Sequence, residues 1–98
     1  MIRKDVISMT EMRKNIALMV KPVWEANREE CMDRGTALAM LMGNFRAEAN
    51  GTEPLYSWGT NTEEQITMAR EWYNSIPTST ERSMEYTHIL KIVEKMDW

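Results

Sequence analysis

The sequence predicts an all-α fold, a compact bundle of four to five helices forming one domain over residues 1–98, and three observations predict it. An apolar stripe at spacings of three and four runs through Met9, Met12, Ile16, Met19 and Val23, then Cys31, Gly35, Leu38, Met42, Phe45 and Ala49. Such spacing keeps side chains on one face of a 3.6-residue helix. Ser8/Glu11, Thr62/Gln65 and Thr78/Glu81 each place a hydroxyl three residues before a Glu or Gln, the pattern of a capping box at a helix start. Pro22, Asn50–Gly51 and Pro77 fall where the periodic runs stop.

Residues 1–7 show no period and read as a short extended arm. The first helix begins near Met9, with Ile7 and Met12 placed as a hydrophobic staple. Pro22 kinks or breaks this first long helical segment, because proline lacks the N–H that the helix ladder needs and crowds the carbonyl four residues back. Pro22 then opens a second helix that runs to about Asp33. Gly35 and Thr36 resemble a stop and a fresh N-cap, although the apolar spacing survives across them, so both a break and a continuous helix stay open here. Residues 37–42 are apolar on every side, as in a central helix or an oligomer interface. After an aromatic loop at 52–61, a helix carries Ile66, Ala69, Trp72, Tyr73 and Ile76 inward. The last helix does so with Tyr86, Ile89, Leu90, Val93 and Met96.

Hydrophobic residues make up 43% and charged residues 28% of the 98, a globular balance that excludes a disordered chain. The net charge of −3 gives a whole-molecule field that disfavours nucleic acid. Residues 1–21 nevertheless carry Arg3, Lys4, Arg13, Lys14 and Lys21 against Asp5 and Glu11. A nucleic-acid binder that uses this basic N-terminal segment is therefore an alternative, set against a solvated helix face. One cysteine excludes an internal disulfide, and Cys31 on the stripe reads as a small buried hydrophobe. No signal-like or membrane-spanning run is present, so the expectation is a cytoplasmic protein with no membrane contact.

Three sets of carboxylates could carry chemistry. Glu25, Glu29 and Asp33 recur at i, i+4 and would line one ridge of a helix, a contact for a basic partner or a divalent cation. Glu29, Glu30 and Asp33 form E-E-x-x-D, and Glu94 with Asp97 forms E-x-x-D. This pattern is similar to that of the all-α nucleotide pyrophosphohydrolases, which hold magnesium between helices, and implies a metal-dependent nucleotide hydrolase as an alternative function. The chain departs from that family in that its first motif ends in Asp rather than Glu and its two motifs lie farther apart. Glu85 and His88 form the E-x-x-H by which four-helix di-iron proteins present two ligands, but the remaining ligands and a second E-x-x-H are missing. A solvated acidic face and a packed helix histidine account for these residues without metal. No cofactor is expected.

The loop carries the main non-periodic signal. Leu55, Tyr56 and Trp58 lie where no helix period asks for them. They are either anchors for a partner or a plug folded over the helix ends. The function expected is a small non-enzymatic binding module, an adaptor or inhibitor of a larger protein or protein complex. Its general type is that of the phage and mobile-element accessory proteins that block host defence or redirect host enzymes, an analogy of type rather than of family. Tyr56, Trp58 and Leu55 would then be anchors and Glu25, Glu29 and Asp33 steering charges. The methionine-rich first helix offers a partner groove, and the apolar segment at 37–42 a homodimer contact.

Overall fold

The computed structural model describes residues 8–30 and 33–98. The arm expected at 1–7 and Cys31 lie outside the described residues. Five helices follow in order: α1 (Met9–Leu18), α2 (Val20–Ala26), α3 (Arg34–Ala49), α4 (Glu63–Ser75) and α5 (Ser79–Lys95), with no strand among the described residues. All three capping sequences start helices. The Ser8 hydroxyl accepts from the Glu11 N–H at 3.1 Å, and Thr78 accepts from Glu81 at the same distance. Thr62 forms the full reciprocal box with Gln65. Each such cap stabilises its helix by about 1 kcal/mol.

The first break falls at Met19, three residues before Pro22. Proline cannot donate to the Leu18 carbonyl and its ring crowds that oxygen, so the chain opens where the missing bond belongs. Pro22 is thereby the third residue of α2 rather than its first, within the turn whose N–H groups have no helical acceptor.

The second helix is shorter than the sequence predicts. It ends at Ala26, Asn27 leaves helical geometry at φ −122°, and residues 27–30 turn. Asp33 then caps α3, its side chain accepting from the Thr36 N–H at 2.7 Å. The break therefore precedes Gly35, which sits in the first turn of α3. Asp33 is a better cap than Thr36 because its carboxylate also meets the positive end of the helix. The hydrogen bond from Thr36 holds the Asp33 carboxyl below its ordinary range. At its other end α3 closes with Gly51 at φ +82°, where the Gly51 N–H reaches the Glu48 carbonyl and the Thr52 N–H that of Ala47.

Helix α3 is the central element. It lies against α2 and α5, and α5 also packs along α1. Ala37, Leu38, Met40 and Leu41 are buried and Ala39 is exposed, so the apolar 37–42 segment is covered largely by its own chain. Ile16, Val20, Val23, Phe45, Ile89 and Val93 complete the enclosed core. The start of the stripe leaves it, with Met9 53% exposed and Met12 half-buried. No helix among the described residues is long and apolar enough to cross a membrane.

Two polar devices tie the ends of the bundle. Arg34 donates to the Val93 carbonyl at 3.1 Å and to those of Met96 and Trp98, satisfying the carbonyls left over at the end of α5. Its guanidinium also stands 4.8 Å over Trp98, which meets Trp24 at 5.2 Å, and Arg28 covers Trp24 at 4.7 Å. At the other end, Arg13 of α1 grips Glu85 of α5 through two parallel hydrogen bonds of 2.9 and 2.7 Å. These bonds hold the Glu85 carboxyl below the ordinary glutamate range, against the desolvation that would raise it. A lowered folded-state value stabilises the fold above the ordinary range, and that stabilisation is lost as pH falls through the folded value. Arg13→Met is expected to cost about 2 kcal/mol at neutral pH, reduced from a fully buried pair because Arg13 is partly solvated. In urea titrations across pH the gap between wild type and variant should close on acidification; a constant gap would contradict the ion pair as its cause.

Candidate functional site

The 52–61 loop is held by three asparagines. Fully buried Asn44 donates to the Tyr56 carbonyl at 2.9 Å and accepts from the N–H groups of Leu55 and Tyr56 at 3.0 and 2.9 Å. Asn27 donates to the Ser57 carbonyl at 3.0 Å and accepts from its N–H. Asn61 bridges the Trp58 carbonyl to that of Met19 at the α1–α2 break. Buried backbone groups in a loop need such partners, and these three residues let irregular backbone lie directly on the core, although the Asn61 Oδ1 is itself buried without a donor.

The loop apolar residues divide accordingly. Trp58 packs on Phe45 with centroids 5.2 Å apart, and Tyr56 is likewise half-buried against the core. Both spend much of their surface inside the fold. Leu55 points the other way and is 67% exposed. Leu55→Ser is therefore expected to change stability by less than about 0.5 kcal/mol in thermal melts.

The acidic candidates are not brought together as one ridge. Glu25 lies in α2, Glu29 and Glu30 in the turn after it, and Asp33 at the start of α3, all exposed. The ridge needed a continuous helix, and Asn27 ends it. Asp33 does share a cleft with Glu94, between Trp24 and Trp98. Glu85 has both oxygens committed to Arg13, and His88 is half-buried one turn further along α5. Among the described residues, no three His, Cys, Asp or Glu side chains converge as a metal-binding group.

A different surface gathers more chemistry. Between α1 and the outer face of α4 runs a cleft of about 670 Å³ bordered by Met12, Met68 and Trp72, with Glu63, Glu64 and Glu71 along its rim. It meets a second cleft of about 300 Å³, which shares Trp72 and adds Met9, Met84 and Glu81. Through Trp72 the two join as one groove: four methionines about an indole, with five carboxylates along it, of which Glu85 is already paired with Arg13. Trp72 is only 7% exposed, yet its Nε1–H has no acceptor. An unpaired buried donor costs roughly 1–3 kcal/mol.

The helix period places Trp72 in the core, where it lies, but does not mark Met68 or Met84 as neighbours of its indole. The available signal was local: Glu64, Met68 and Trp72 recur at i, i+4 and i+8, so carboxylate, thioether and indole share one edge of α4. Comparison of the chain with protein-family models, with curated proteins and with solved structures finds no match.

Proposed function

We propose that the protein is a non-enzymatic binding module, an adaptor or inhibitor that holds a basic amphipathic segment of a larger protein in the groove between α1 and α4. The observation that carries this is the acid-edged methionine groove centred on Trp72. Unbranched thioethers adapt to apolar side chains of varied shape, and an indole supplies a large anchoring area. Glu63, Glu64, Glu71 and Glu81 complement lysines or arginines flanking such a segment and speed its encounter. An amphipathic helix laid in a groove is an established mode of peptide capture. The module acts by occupancy, which needs no catalytic constellation.

The test is a titration of a fluorescently labelled leucine–lysine amphipathic helical peptide, read by anisotropy at low salt. Binding should weaken as salt rises, and the double variant Glu63→Lys, Glu64→Lys should lose affinity about tenfold or more. Glu25→Lys, Glu29→Lys, with the same charge change away from the groove, should lose far less. Equal loss in the two doubles would reduce the effect to net charge and refute the groove.

A further inference from the structure

We propose that the cleft between α3 and α5 is a second ligand site, specific for a phosphomonoester. This cleft, of about 670 Å³, has no carboxylate among its lining residues, although the chain carries a net charge of −3. Its polar side chains are the guanidinium groups of Arg46 and Arg82, the Asn50 amide, and the hydroxyls of Ser79, Ser83, Tyr73, Tyr86 and Thr87, of which Tyr86 and Thr87 already donate to the Gly35 and Ser83 carbonyls. Glu81, on the same turn of α5, borders the methionine groove instead.

Arg82 is held ready but under-used. Its guanidinium lies 4.3 Å over the Tyr73 ring, its Nη2 reaches the Tyr73 carbonyl only at 3.5 Å, and its Nε is buried without an acceptor. Three other arginines contrast with it: Arg13 and Arg70 grip carboxylates, and Arg34 holds backbone carbonyls, while Arg28 rests on Trp24 away from this cleft. Among the described residues, neither Arg46 nor Arg82 forms an ion pair with a carboxylate. Two arginine forks with adjacent hydroxyls match the several oxygens of a phosphate better than a single carboxylate. The positive end of the 17-residue α5 lies at Ser79 and adds to the same field. Opposite, Ala39 and Gly43 form a small-residue wall on α3 against which the organic body of a phosphomonoester can lie flat.

The test titrates the full chain with inorganic phosphate and with adenosine monophosphate in low-salt buffer, followed by calorimetry. Both should bind, phosphate with a dissociation constant of about 1 mM and the nucleotide about tenfold tighter. Arg46→Gln removes an exposed side chain with no internal partner, so it should weaken both ligands at least about fivefold while leaving the ligand-free melting temperature unchanged. Arg82→Lys, which keeps the charge and loses the fork, should do the same. No heat with either ligand, equal affinity for the two, or undiminished binding by Arg46→Gln would overturn the proposal.

Discussion

Replacing Gly59 by alanine is expected to destabilise the protein by more than about 3 kcal/mol, enough to unfold a large fraction of a domain this size at 37 °C. Gly59 has φ +66°, a conformation that L side chains rarely adopt. A Cβ there would stand 2.7 Å from the Pro22 carbonyl carbon and closer still to its oxygen. Both atoms are backbone, so no rotamer change relieves the clash, and either the loop must lift or α2 must shift. Lifting the loop exposes Trp58 and Phe45 and unpairs the Asn27, Asn44 and Asn61 contacts together. Denaturant unfolding checks this directly. Gly51→Ala, also at positive φ but with open space around the glycine, should cost only about 1 kcal/mol and separates clash from conformational strain.

Asn44→Ala should cost about 2–4 kcal/mol, the second largest effect. The change deletes an amide with zero exposure and leaves the Leu55 and Tyr56 N–H groups and the Tyr56 carbonyl without partners. Since Asn44 and Gly59 secure the same loop, the double variant should lose less than the sum of the singles. Hydrogen exchange at the Leu55 and Tyr56 amides should accelerate in Asn44→Ala before the rest of the core is affected.

These two residues also show where the sequence was legible and where it was not. Helix starts at Ser8, Thr62 and Thr78 could be read because the cap is a local event, closed within four residues. The inward faces of α4 and α5 could be read because Ile66, Ala69, Trp72 and Tyr73, and likewise Ile89 and Val93, repeat at the helix period. The clamp by Asn44 could not, since an asparagine within an apolar run looks like an isolated polar residue until its partners 11 and 12 positions away are known. The extent of α2 was overestimated for a related reason. Spacing alone carries the stripe across Asn27, whereas the Asn27 side chain turns back to the Val23 carbonyl at 2.8 Å and ends the helix.

The candidate site followed the same division. Leu55, Tyr56 and Trp58 stood out because no period explains them, but two of the three are drawn to the core by the asparagines. The groove at Trp72 uses residues that do fit the period. Met68 and Glu64 lie on an ordinary amphipathic edge, and Met9 and Met12 become groove walls only because α4 crosses near them. That neighbourhood is tertiary and leaves no mark in the spacing.

Labelling the methionine methyl groups with 13C and titrating the leucine–lysine amphipathic peptide tests the central functional claim most directly. The chain has 10 methionines distributed over distinct surroundings. With the peptide in the groove, the methyl signals of Met9, Met12, Met68 and Met84 should shift on binding, while those of buried Met19 and Met40 and of Met42 in the α3–α5 cleft stay in place. Saturating binding that leaves the four groove methionines unshifted, or no binding at all, would contradict that claim.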